Sequence, residues 1–148
     1  MTDFSGKLGM AIGETDDSNA EIKTYVAGAA VTKGDPVYLS AAETVTSAGA
    51  AHDCIGIATK TQLTVGGPVP VLTDGRVKVA AGGAITLGKA VYGSDSSMRV
   101  LMLVDVNQAV AEGGVASYTV AVPFAQKLGC ALQAASNAGD LIFIDVEK

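Results

Sequence analysis

The stretch AHDCIG places His52, Asp53 and Cys54 side by side, three side-chain types that serve in nucleophilic catalysis. A Cys–His pair works when the imidazole hydrogen-bonds the thiol and a third group orients the ring. Local geometry works against that here. On an extended strand His52 and Cys54 share one face, and Asp53 points to the other. His52 is also the only histidine. It reads as a loop residue ahead of a core strand, and no catalytic residue is expected.

Metal and cofactor chemistry has as little to work with. One histidine and two distant cysteines, Cys54 and Cys130, make no zinc spacing. Those cysteines could form one disulfide, but buried free thiols in a reducing compartment are the favoured reading. Glu14, Asp16, Asp17 and Glu21 could attract a hard cation, yet they lack the central Gly and final Glu of a calcium loop. They read as a solvated acidic loop. Gly66-Gly67, Gly82-Gly83 and Gly113-Gly114 lack the Lys-Ser/Thr of a phosphate loop and the spacing of a dinucleotide fingerprint, so they read as turns. No metal and no cofactor are expected.

The formal net charge of −5 repels phosphate, and the ten Lys and Arg residues form no basic run. Nucleic acid is therefore not expected as a partner. No apolar run approaches the roughly 18–20 residues of a membrane span. The opening MTDFSGKLGM has no apolar core of the kind a secretion signal needs, which favours a protein made in a cytoplasm. Apolar residues make up 49% of the 148 and charged residues only 17%. So few charges suggest that some apolar surface meets another protein.

The elements that must carry these residues are written twice. VAGAAVTKGDPVYLS at Val26–Ser40 lies over AAGGAITLGKAVYGS at Ala80–Ser94 without a gap, with eight identities in fifteen. CIGIATKT at Cys54–Thr61 is followed in the second half by KLGCALQA at Lys127–Ala134. VGGPVPVL at Val65–Leu72 matches NAGDLIFI at Asn137–Ile144, with Gly67 over Gly139. Each unit reads as a Gly turn, a strand ending Val-Tyr-x-Ser, a Gly-containing strand, a second Gly turn and a last strand.

The expected fold is all-β: a small compact β-barrel or sandwich of two pseudo-repeated units, with an extended N-terminal arm. The arm covers residues 1–25 and the β domain 26–148, with units near 26–79 and 80–148 and an insertion near 95–127. Asp74-Gly75 signals a hairpin, after which Val77 and Val79 share a face while Lys78 points away. Gly13–Lys23 reads as a mobile loop or arm. Phe124–Ala135 could stripe a helix, but Gly129 and its match to Gly56 favour a strand. Within the insertion, MRVLMLVDV and ASYTVAV could form a hairpin pair, or a strand and a short helix.

Taken in order, Gly-Asp-Pro-Val-Tyr, Ile-Gly-Ile-Ala, Asp-Gly-Arg-Val-Lys-Val, Ile-Thr-x-Gly-x-x-Val-Tyr and Leu-Gly-x-Ala-Leu-x-Ala-Ala-x-x-Ala-Gly-Asp resemble the small capsid decoration proteins of tailed double-stranded DNA viruses. These are also called cement or head-stabilising proteins. The likeness runs from about Val26 to Val146 and is least typical over Asp95–Lys127. It implies a structural virion protein on the outer capsid surface, assembled in the host cytoplasm. It further implies a homotrimer that binds the major capsid protein shell and stabilises it through many small contacts. Candidate partner contacts are Phe4 and Lys7 in the arm, Asp35 and Pro36 where the two copies differ, and the equivalent tyrosines Tyr38 and Tyr92. The alternative is a ligand- or carbohydrate-binding module of head-fibre or adhesin type, with Tyr38, Tyr92 and Tyr118 as its platform. An enzyme using His52 with Cys54 or Cys130 comes third.

Overall fold

The computed structural model describes residues 10–50, 53–103 and 127–148, and these contain nine strands and no helix. They are β1 (Glu21–Ala27), β2 (Pro36–Ala41), β3 (Thr44–Ser47), β4 (Cys54–Ala58), β5 (Pro68–Ala80), β6 (Ala90–Gly93), β7 (Val100–Met102), β8 (Lys127–Ala131) and β9 (Leu141–Glu147). They hydrogen-bond in the order β1-β3-β2-β4-β5-β9-β8-β6-β7, and an added β1–β5 pairing closes the first five into a barrel.

Strand β5 belongs to both halves. Its first part, from Pro68, pairs with β1 and β4; its second part, Asp74–Ala80, pairs with β9. Asp74-Gly75 is therefore not a hairpin but the crossing point inside one 13-residue strand. Gly75 takes φ +121°, and the register slips beside it, where Glu21 faces Asp74 and Ile22 faces Leu72. The glycine marks a bend between two pairings rather than a reversal, because each side of it finds its own partner strand.

The second half repeats many of the bonds of the first. Val31 and Gln62 form an isolated bridge, as do Ile85 and Ala135. Gly34 N–H donates to the Ala58 carbonyl at 2.8 Å, and Gly88 to Ala131 at 2.9 Å. Gly66 donates to Ala27 at 2.8 Å, and Gly139 to Ala81 at 2.7 Å, so Gly139 answers to Gly66 and not to Gly67, and the match over β5 and β9 shifts by one residue. Even the irregularities recur: the β2–β4 ladder slips between Val37 and Tyr38, and the β6–β8 ladder between Val91 and Tyr92. Gly34 and Gly88 take φ +94° and +80° at the same turn, which explains the repeated Thr-x-Gly. The second barrel is more open than the first, since a single parallel bridge, Ala81 to Val100, stands where β1 pairs with β3.

Two buried clusters follow from this pairing. The first barrel encloses Ala27, Val31, Val37, Val45, Ala58, Val69 and Val71. Every one has a counterpart in the second cluster: Ala81, Ile85, Val91, Val100, Ala131, Ile142 and Ile144. That cluster is larger because Ala48, Cys54, Ile57 and Leu72, from the outer face of the first barrel, join it across the seam. The positions matching Cys54, Ile57 and Leu72 in the second unit are Lys127, Cys130 and Asp145, none of them fully buried. The same strand pattern thus carries fully buried apolar residues at the seam and only partly buried ones at the matching positions of the second unit.

Among the remaining expectations, one changes and the strand favoured around Gly129 holds. Gly13–Lys23 is not a free loop. Gly13 N–H donates to the Lys78 carbonyl at 2.7 Å, Lys78 N–H donates to Glu14 at 3.1 Å, and from Glu21 the chain is already in β1. Lys78 is only 6% exposed, covered by this segment, with its ammonium 5.8 Å from the Phe143 ring centre. Phe143 itself is buried, although Leu141 and Asp145 on the same side of β9 are not. Residues 127–131 form a strand, not a helix, and β7, the counterpart of β3, lies inside the expected insertion. ASYTVAV falls outside the described residues.

Candidate functional site

His52 lies outside the described residues. Cys54 is fully buried in the seam, and burial pushes its thiol up to about 12, so no nucleophilic thiolate forms near neutral pH. Cys130 sits partly buried on β8, and both thiols are free. The acidic residues before β1 are committed to the fold. Asp16 grips Arg76 through two bonds, 2.9 Å to Nε and 3.1 Å to Nη2, and Glu14 pairs with Lys33 at 3.1 Å. Asp17 accepts the backbone N–H of Asn19 at 2.9 Å. Among the described residues no group of three or more His, Cys, Asp or Glu is placed to hold a metal ion.

The expected partner contacts are scattered. Phe4 and Lys7 lie outside the described residues. Asp35 is occupied within its own turn, where its carboxylate accepts the Thr32 N–H at 3.1 Å and the Ser47 hydroxyl at 2.6 Å. Pro36 is buried, and β6 approaches it so closely that a Cβ on Gly93 would strike both Pro36 and Cys54. The contrast between Asp35-Pro36 and Lys89-Ala90 therefore has an internal use: it shapes the seam between barrels. Tyr38 and Tyr92 are half-buried at equivalent sites, each beside its ladder slip, and Tyr38 packs on the seam cluster.

The structure exposes a different set. Leu63 and Val65 stand 71% and 68% exposed on the turn that closes one end of the first barrel. That turn is pinned to β1, because Ala27 N–H donates to Gly67 at 2.9 Å and Gly66 N–H donates back to Ala27. Val26, next along β1, is also exposed and lies opposite Pro68. Their counterparts in the second unit are Ser136, Ala138 and Ala80, smaller or polar. Leu87 and Leu141 are the exposed apolar residues of the second unit. Comparing the two copies position by position, rather than at Asp35-Pro36 alone, is the sequence signal that finds Leu63 and Val65.

Leu63, Val65 and Val26 thus form an exposed apolar patch at one end of the first barrel. A family model described as phage cement protein matches residues 18–147. The chain belongs to the phage cement protein family. It is a structural component of the virion that decorates and stabilises the capsid from its outer surface. Among solved structures it is similar to the head fiber gp8.5 N base of bacteriophage phi29. The two share 15% identity with a TM-score of 0.58, over 86% of this chain and 94% of that one. At that identity the likeness shows a shared fold. A search of curated proteins finds no match.

Proposed function

We propose that this cement protein binds the outer face of the major capsid protein shell as a homotrimer, and acts by binding alone. The observation that carries the reading is the apolar end of the first barrel: Leu63, Val65 and Val26 exposed on a turn tied to β1. Surface of this kind is costly to leave in water and marks a protein contact. The smaller counterparts Ser136, Ala138 and Ala80 in the second unit suggest that the end of the first barrel docks. Phe4, Lys7, Tyr38 and Tyr92 are further candidate contacts in this reading. Many copies on a shell turn modest single contacts into firm attachment. Co-sedimentation with mature shells tests the reading: wild type pellets with shells, and Leu63→Asp with Val65→Asp does not.

A second reading keeps the fold and changes the load. The likeness to a head fibre base supports a role as the base of a projecting fibre, with a ligand or glycan bound further out. A glycan array separates the two, since a decoration protein leaves it blank.

A further inference from the structure

Thr24 and Lys78 hold the same position in the two units, facing Pro70 and Phe143 respectively. In both pairs the backbone groups point away from the facing strand. At Lys78 they are used: its N–H donates to Glu14 and its carbonyl accepts from Gly13. At Thr24 nothing corresponds. Among the described residues no backbone partner covers the outer edge of β1 at Ile22 or Thr24; cover resumes at Val26, whose N–H donates to Glu43 at 2.9 Å. Turning Thr24 inward would gain nothing, because Pro70 has no N–H to offer. Ile22, in the middle of this edge, is 47% exposed. An open edge with an apolar centre is a template for another strand.

The charges on β1 say which strand fits. In antiparallel pairing with a second copy, outward-pointing residues must face outward-pointing residues. Thr24 facing Ile22 puts Lys23 against Lys23. Ala20 facing Ile22 puts Glu21 against Glu21. Thr24 facing Thr24 brings Ile22 against Val26, whose N–H is already taken. One register remains: Ile22 facing Ile22, which sets Glu21 opposite Lys23 of the second copy, twice by symmetry. Within one chain Glu21 and Lys23 already pair at 3.1 Å, each more than half exposed. The dimer exchanges that weak pair for two cross-strand pairs flanking the isoleucines.

We infer that the β1 edge is a two-fold contact between copies of this chain, centred on Ile22 and held in register by Glu21 and Lys23. It is isologous and closes on itself. It is separate from any three-fold assembly and would join neighbouring trimers on a shell, but it does not depend on the docking surface proposed above.

A charge swap in the full chain tests it. Lys23→Glu should weaken the two-fold association about tenfold or more, since two cross-strand pairs become like-charged. Glu21→Lys combined with Lys23→Glu should restore it, because the swapped strand is again self-complementary. Sedimentation velocity over a concentration series reads both. Ile22→Cys should give a disulfide-linked dimer under mild oxidation, the facing Cα atoms being about 5.5 Å apart. Thr24→Cys should not, its mate lying about 13 Å away along the strand. Association indifferent to Lys23→Glu, a double variant that fails to recover, or a wild-type chain that stays monomeric at every concentration would each overturn the inference.

Discussion

Gly129 lies directly against the backbone of Asp145, and a Cβ on it would run into the Asp145 carbonyl oxygen. The strands meet there without side-chain clearance, and Gly56 stands in the same relation to Leu72 in the first unit. The repeated Ile/Leu-Gly is thus a packing requirement written twice. Gly129→Ala should destabilise by about 3 kcal/mol, at the upper end of overpacking costs, read as a shift in the denaturant midpoint. A loss below 0.5 kcal/mol, on the order of an exposed substitution, would mean that the strands separate easily.

The seam between barrels should be as costly to hollow as a core. Leu72 is fully buried there and lies on the outer face of the first barrel. Leu72→Ala should cost about 3–4 kcal/mol. One cooperative transition in wild type, monitored by two probes, is expected because the seam fuses the units. Two separate transitions would show that the barrels fold independently.

Thiol labelling should distinguish the cysteines. Cys54, buried with its thiol pushed up to about 12, should resist a disulfide reagent at neutral pH until the protein unfolds. Cys130, partly exposed, should label in the native state. Equal labelling rates would contradict the placement of Cys54.

Two carboxylates should act on stability in opposite directions as pH changes. Backbone N–H groups of Asn137 and Ser136 hold the Asp140 carboxyl below its ordinary 3.8. Its contribution is therefore present above that value and lost as pH falls through the lowered one. Asp145 is raised, first by burial and then by Glu147, Asp74 and Asp17, against the opposing Arg76. Its charge therefore costs stability once pH rises through the raised value. Asp140→Asn should lower Tm at pH 7, and Asp145→Asn should raise it. The Asp145 effect should fade as pH falls below the ordinary carboxylate value, and the Asp140 effect only at lower pH, as its own lowered value is passed. A Tm for Asp145→Asn at or below wild type at pH 7 would contradict the raised value.

Much of this fold is legible in the sequence because the constraints are local. Gly34 and Gly88 need positive φ, Gly56 and Gly129 need room, and the Val-Tyr pairs mark a ladder slip that recurs. Asp74-Gly75 misleads because a turn signal says only that the chain can bend. Whether it reverses depends on which strands flank it, and β1 and β9 lie far away in sequence. The commitment of Asp35 and Pro36 is hidden for the same reason, since the turn at Ser47 and the seam with Gly93 exist only after pairing. Leu63 and Val65 are legible only by comparing the two units, because one apolar residue on a Gly turn has no pattern of its own.

Docking on the capsid should depend on that turn and not on the tyrosines' hydroxyls. Leu63→Asp with Val65→Asp should lower affinity for shells at least tenfold while leaving Tm within a few degrees of wild type, as both side chains are mostly exposed. Tyr38→Phe should leave shell binding unchanged.

A cryo-EM map of mature shells incubated with the chain tests the central claim most directly. The expected result is density for the two-barrel molecule on the outside of the capsid, at three-fold positions, with the Leu63–Val65 turn against the shell. Shells with no added external density under saturating protein, or density in which that turn points to solvent, would contradict it.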